Sequence, residues 1–292
     1  MQLIDGKSLA LEIQDELAEE VKKLLSDGKN APHLAAVLVG ADPASETYVR
    51  NKVKACERVG IISSMVRLGS DITQEKLIAE IKILNDNDDI NGIIVQLPVP
   101  DHINVEQLTE AISYKKDVDG FHPVNVGRMA KNLPAFISAT PYGILQLLER
   151  YKIETEGKHC VVLGRSDIVG MPMSILMARK SNPGNATVTL CHSKTHDLKE
   201  QLNQADILIA ALGRPEFVTS DMVKEGAVVI DVGITRVKDD TTKSGFRLKG
   251  DVKFDEVAPK CSFITPVPGG VGPMTVTALL MNTLKSAKGE IY

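Results

Sequence analysis

The chain of 292 residues has no tryptophan, and aromatic residues make up only 4% of it, so aliphatic side chains must fill its cores. That suits parallel strands covered by helices on both faces, which read as runs of Val, Ile and Leu. Long apolar stretches are missing too. The longest are strand-sized, which excludes a membrane-spanning helix. No long Lys/Arg run occurs and the net charge is −4, so the sequence carries no footprint of a nucleic-acid surface. Neither nucleic acid nor membrane is expected as a partner. The segment MQLIDGKSLALEIQDELAEE has acidic residues where a secretory signal carries a basic segment and an apolar run, which points to a cytoplasmic protein.

Cysteine is sparse and unpatterned. Cys56, Cys160, Cys191 and Cys261 show no C-x-x-C spacing and read as buried thiols of a reducing compartment, not as a disulfide framework or zinc site. His192 and His196 stand four apart in CHSKTH, but no Glu follows His192 and no third ligand is evident. The segment reads as a strand end and loop, so no metal is expected. Internal repeats and low-complexity tracts are absent.

What is present is an alternation of strand-like and helix-like segments, at a length that favours two domains. Leu9, Ile13, Leu17, Val21 and Leu24 recur at helical spacing between Lys7 and Leu25. LAAVLVG (Leu34 to Gly40) reads as a strand, and Ser45 to Val59 as a helix with Ser45 as its N-cap. A strand follows at Met65 to Leu68, then a helix capped by Thr73 and running to Leu84. GIIVQLPVP (Gly92 to Pro100) is a third strand that stops at its prolines. The second half repeats the pattern: a helix from Pro141 to Tyr151, a strand at Cys160 to Gly164, and a helix from Val169 to Arg179. Strands follow at Ala186 to Cys191, Asp206 to Leu212 and Ala227 to Gly233. SNPGN (Ser181 to Asn185) has turn chemistry, Val237 to Lys249 reads as a loop or hairpin, and a last helix spans Val276 to Lys285.

VVLGRSDIVGMP (Val161 to Pro172) is a strand, a glycine turn and a helix start, the layout of a dinucleotide site. Gly164 allows the turn, Gly170 permits close helix–sheet approach, and N–H groups at the helix N-terminus face the pyrophosphate. Ser166 stands where the common G-x-G-x-x-G has its second glycine, so the flanking strands and helix carry the reading. The next strand ends in Cys191-His192-Ser193-Lys194, without the carboxylate that holds a ribose 2′-OH. Arg165, Ser166 and Ser193 would accept a 2′-phosphate, which favours NADP over NAD.

Tyr48 and Lys52 lie at i and i+4, on one face of their helix. In isolation such a pair is usually a packed Tyr beside a solvated Lys. Short-chain dehydrogenases use Tyr-x-x-x-Lys catalytically, but there the nucleotide loop precedes the pair, whereas here it follows by more than a hundred residues. DGKSLA, VGADPASETYVRNKVKAC, GIIVQLPVP, KKDVDGFHPVNVGRM, GRSDIVGMPMSILM, ATVTLCHSKT, ADILIAALGRPEFV, VIDVGITR and PVPGGVGPMTVTALLMNT occur in this order. Together, from Asp5 to Leu284, they resemble the bifunctional methylenetetrahydrofolate dehydrogenase/methenyltetrahydrofolate cyclohydrolase family.

The resemblance implies an α/β protein of two domains: an N-terminal catalytic, folate-binding domain with a parallel sheet (residues 1–139 with 272–292) and a Rossmann-type NADP-binding domain (140–271). The C-terminal helix would return to the first domain. It implies oxidation of 5,10-methylenetetrahydrofolate with NADP and hydrolysis of the methenyl product to 10-formyltetrahydrofolate, with a monofunctional dehydrogenase as the alternative. A non-catalytic NADP-binding regulator is a further rival. By the resemblance Lys52 is the catalytic lysine, Tyr48 lies against the folate rings, Gln96 hydrogen-bonds in the reaction centre and Asp119 grips the pterin. Ser45 and the Pro268-Gly269-Gly270 turn would help shape the same cleft. Gly164, Arg165, Ser166, Ser193 and Ile234 match cofactor contacts, with Thr275 nearby. A homodimer is implied on the same ground. Ala139 stands where the family often has Cys, Lys253 where it often has Asp, and SNPGN lengthens one link; none of these touches the expected chemistry.

Overall fold

The described chain of the computed structural model runs from Met1 to Tyr292 without residues 41–42 and 243–244, and without the side chains of residues 43–45 and 47. It opens with a short strand, β1 (Gln2–Leu3), and helix α1 (Gly6–Ser26), which buries the expected stripe Leu9, Ile13, Leu17, Val21 and Leu24. β2 (His33–Val39) is buried almost throughout, as a parallel strand covered on both faces should be. Helix α2 (Pro43–Val59) starts two residues before the expected position, because proline's fixed φ and missing N–H suit a first turn. Ser45 therefore lies inside that turn instead of capping it, and its side chain falls outside the described residues.

β3 (Ile62–Leu68) precedes α3 (Gln74–Asn85), where the Thr73 hydroxyl accepts from Lys76 N at 3.4 Å, the cap that the sequence predicts. β4 (Gly92–Val95) ends well before Pro100, the expected limit. Gln96 N still donates to Val37 O, but Pro98 and Pro100 have no N–H with which to continue the ladder. Four helices are not among those the sequence predicts: α4 (Val105–Ala111), capped by Asn104, α5 (Pro123–Ala130), capped by the His122 ring with Pro123 in its first turn, and the shorter Leu198–Asn203 and Phe254–Val257. All four are too short for periodicity to reveal.

α6 (Ala139–Arg150) leads to β5 (His159–Leu163), α7 (Gly170–Ala178), β6 (Thr187–Cys191), the short α8 (Leu198–Asn203), β7 (Ile207–Ala210) and β8 (Val228–Asp231). The polar stretch after β8 is an antiparallel hairpin of β9 (Thr235–Lys238) and β10 (Phe246–Lys249). One turn of helix, α9 (Phe254–Val257), the short strand β11 (Phe263–Ile264) and α10 (Val271–Lys288) complete the chain. α10 begins five residues before the expected Val276. Gly272 and Pro273 fall in its first turn, where no intrahelical N–H bond is required of them.

The chain divides into two units, Met1–Ala10 with Thr140–Thr275 and Leu11–Ala139 with Val276–Tyr292. The second carries a three-stranded parallel sheet, β3-β2-β4, over a core that includes Val37, Leu77, Ile81, Ile93 and Leu108. The last part of α10 belongs to it: buried Asn282 donates to Val118 O and Ile137 O, and Gln14 donates to Thr277. The first unit carries a six-stranded sheet in the order β1-β11-β8-β7-β5-β6, parallel throughout. Residues 1–10, expected in the N-terminal domain, sit in this unit because β1 extends its sheet beside β11. Asp5 N donates to the Tyr151 hydroxyl at 2.7 Å, and Lys7 N donates to Gly269 O. Residues 272–275 also fall in this unit instead of with the catalytic domain, tied by the Thr140–Thr275 hydroxyl contact at 3.0 Å.

All four cysteines are buried and free, as the sequence suggested. Among the described residues no His/Cys/Asp/Glu group is arranged to hold a metal, and no helix is long and apolar enough to cross a membrane.

Candidate active site and nucleotide site

On α2 the buried positions Val49, Lys52, Cys56 and Val59 follow helical spacing, so Lys52 occupies the stripe that faces the core. A lysine there loses water that an ammonium needs. Lys52 is only 6% exposed, and burial holds its amine below the usual lysine range, with the Asp119 carboxylate pulling the other way. Its Nζ donates to Gln96 Oε1 at 3.3 Å and lies 4.9 Å from the centre of the Tyr48 ring, a cation–π distance. Gln96, just past the end of β4, is oriented in turn by donating from Nε2 to Leu97 O at 2.7 Å.

Asp119 completes the group. Burial pushes its carboxyl above the usual carboxylate range, and Lys52 partly offsets this. The loop that carries it is held from several sides. Gly120 has φ +74°, and a Cβ there would fall 2.5 Å from Ser138 N, so only glycine permits this turn. Asp117 accepts from Phe121 N, His122 N and Asn125 Nδ2 at 2.8–3.2 Å, while Tyr292 donates its hydroxyl to Asn125 Oδ1 at 2.6 Å. Burial pushes Asp117 up to about 7. These supports were not read from the sequence; KDVDGFHPVN offered only the spacing of two aspartates and an asparagine. A cavity in the same unit is lined by Ile93, Val95, Leu97, Leu108, Asp119 and Phe121. The group thus offers an amine with lowered basicity, a carboxyl with raised basicity and an amide that accepts from the amine, beside an apolar hollow.

The six-stranded unit holds the second set. Its order places β5 between β6 and β7, so the chain reverses direction of growth at β5 and β7; ligands of open α/β sheets bind outside the carboxyl ends of strands at such a point. Gly164, directly after β5, has φ +117°, and a Cβ there would lie 2.1 Å from Ala211 O after β7. A Cβ on Gly170 would lie 2.0 Å from Gly164 O. Both glycines are therefore required by close backbone approach, as the sequence indicated. One expectation needs correction. The first N–H groups of α7 are taken within the loop: Val169 N and Gly170 N donate to Ser166 Oγ at 3.3 and 3.4 Å, and Met171 N to Ser166 O at 3.0 Å. Ser166 acts as the cap of this turn, and the exposed surface of the loop is the run from Arg165 to Ile168.

Ser193 and Lys194 are exposed just after β6, and Ile234, 51% exposed, follows β8. Thr275 lies in the first turn-and-a-half of α10 beside Thr140. The Pro268-Gly269-Gly270 turn is built into this same unit: Gly269 has φ +108°, and a Cβ on Gly6 would meet Gly270 O at 1.9 Å. The structure thus groups Lys52, Tyr48, Gln96 and Asp119 in one unit, and places Pro268–Gly270 with the nucleotide residues in the other. A glycine cradle, a basic side chain at the loop crest and a strand end without a carboxylate fit a dinucleotide carrying a 2′-phosphate.

Comparison with known proteins identifies the family. Residues 4–119 match the tetrahydrofolate dehydrogenase/cyclohydrolase catalytic domain, and residues 138–291 match the NAD(P)-binding domain of the same family. The "Bifunctional protein FolD" of Bacteroides thetaiotaomicron is 61% identical over 292 residues, all of both chains. Among solved structures, the bifunctional methylenetetrahydrofolate dehydrogenase/cyclohydrolase of Campylobacter jejuni superposes with a TM-score of 0.93 at 50% identity, covering 99% of each chain. The Trypanosoma brucei dehydrogenase-cyclohydrolase, solved with NADP cofactor and an inhibitor, gives a TM-score of 0.93 at 41% identity over 99% of this chain and 98% of its own.

Proposed function

The chain belongs to the tetrahydrofolate dehydrogenase/cyclohydrolase family, and from that premise we propose how its residues divide the work. The enzyme oxidises 5,10-methylenetetrahydrofolate to the methenyl form with NADP and hydrolyses that product to 10-formyltetrahydrofolate. The observation that carries the assignment of the site is the buried Lys52 amine, held by Gln96 and facing Asp119.

When bound, NADP accepts the hydride that leaves the methylene carbon. Departure of that hydride needs no strong base, since the flanking nitrogens stabilise the remaining cation, so the protein's task is positioning. Asp119 and Tyr48 hold the pterin ring system; Arg165, Ser166 and Ser193 hold the cofactor's phosphates, with Gly164, Ile234 and Thr275 shaping the pocket around it. The hydrolytic half depends on protons. Water adds to the methenyl carbon, and the ring opens only if a proton moves from the attacking water to a departing nitrogen. Lys52, with basicity reduced by burial, gives up a proton more readily than a solvated lysine. Gln96 keeps the amine aimed.

The catalytic, folate-binding role thus falls to Leu11–Ala139 with Val276–Tyr292 and the nucleotide-binding role to Thr140–Thr275. A homodimer in the cytoplasm is part of the same reading, supported by the family resemblance. The test is an absorbance assay at the methenyl-folate band. Methenyl-folate should form from the methylene substrate only with NADP added, and supplied methenyl-folate should decay faster than the buffer rate. Absence of both changes would overturn the assignment.

A further inference from the structure

Two buried carboxylates lie at the strand ends of the six-stranded unit, outside the groups assigned so far. Asp251 is fully buried and takes three consecutive backbone donors from the segment after β7: Leu212 N at 2.5 Å and Gly213 N at 3.0 Å on Oδ2, and Arg214 N at 2.7 Å on Oδ1. Asp231, at the end of β8, accepts from Gly233 N at 3.0 Å, Asp251 N at 2.9 Å and Val252 N at 2.9 Å. The two side chains therefore join three segments: 212–214 after β7, 233 after β8, and 251–252 after β10.

Space for them is made by glycine. A Cβ on Gly233 would fall 2.3 Å from Asp251 Oδ1, and one on Gly250 would fall 1.9 Å from Asp231 Oδ2. Three successive N–H groups turned on one point make an anion site, and here the chain's own carboxylate fills it. Burying carboxylates costs free energy, and burial pushes Asp231 up to about 7. That cost is offset by six N–H donors, and it is incurred at one place, beside the β5–β7 crossover and next to exposed Ile234.

We propose that Asp231 and Asp251 form a carboxylate clasp that positions segments 212–214 and 232–234 as one wall of the NADP pocket. They are positioning residues and touch no reacting atom. The inference rests on the nucleotide-site reading above, and it separates the two activities, because only the dehydrogenase step consumes NADP.

The experiment compares wild type with Asp251→Asn and Asp231→Asn. An asparagine keeps one acceptor oxygen and turns an NH₂ toward N–H donors, leaving a buried donor unsatisfied, which should weaken NADP binding about tenfold. The expected result is a raised KM and Kd for NADP, with dehydrogenase kcat lowered less and cyclohydrolase turnover of supplied methenyl-folate within about twofold of wild type. Equal NADP affinity in folded variants would overturn the clasp, as would a matching loss of both activities. Hydrogen exchange on the wild-type enzyme gives a reading that does not depend on variants folding. NADP should slow exchange at residues 212–214 and 233–234, and unchanged exchange there, with protection elsewhere in the unit, would also overturn it. Failure of wild type itself to bind NADP would instead overturn the nucleotide-site reading.

Discussion

Replacing Lys52 with methionine separates proton chemistry from packing. Methionine keeps an unbranched stem of similar reach and removes only the amine, so the buried stripe Val49, Cys56 and Val59 keeps its neighbour. Two effects on stability oppose each other. Relief of lysine desolvation stabilises the fold, while Asp119 loses the cation that lowers its pKa. The two effects cancel in part, so the variant should fold with a modest change in Tm. The effect on hydrolysis is of another size. A positioned acid–base group contributes roughly 10²- to 10⁴-fold, or about 3–5 kcal/mol of barrier. Decay of the methenyl-folate absorbance should slow by that factor, while NADP affinity, set in the other unit, stays at the wild-type value. Hydration at the wild-type rate by a folded Lys52→Met enzyme would refute the role of the amine.

Arg165→Ala should weaken NADP by about 10- to 100-fold while changing NAD little, since a charge-assisted contact of about 1.5–3 kcal/mol exists only with the 2′-phosphate; KM values with the two nucleotides decide it, and equal losses would remove the contact. Gly170→Ala places a Cβ 2.0 Å from Gly164 O and 2.8 Å from Arg165 Cα, backbone atoms that cannot swing aside. It should lower Tm and raise the KM for NADP, at a cost of about 1–3 kcal/mol, and a variant with native Tm and KM would contradict the close packing. Asp119→Asn removes the charge that raises the Lys52 pKa, so the Lys52 limb of the cyclohydrolase pH profile should move to lower pH. The sign follows from linkage. The folded Lys52 pKa already lies below its unfolded value, so stability rises with pH between the two, and the substitution extends that window downward. A limb that stays in place, or moves upward, would show that Asp119 does not act on the amine.

The grouping of Lys52 with Gln96 and Asp119 came only from the family resemblance, whereas the α/β alternation, most element positions, the Gly164 and Gly170 turn and the Thr73 cap were legible along the chain. Each rests on information within a few residues: helical spacing, cap chemistry, a glycine where the backbone must turn or approach. Lys52 itself carried a readable signal, a charged residue on the apolar stripe of α2. What could not be read depended on residues far apart. Nothing in the first ten residues announces that β1 pairs beside β11, because a two-residue strand has no period and its partner lies more than 250 positions away. The capping of α7 by Ser166, the support of the Asp119 loop by Asn125, Asn282 and Tyr292, and the joining of three segments by Asp231 and Asp251 all arise from folding. A local pattern tells a residue which face of its own element it occupies; only tertiary packing removes the water and supplies the partner, and those two changes set the protonation of a buried Lys or Asp.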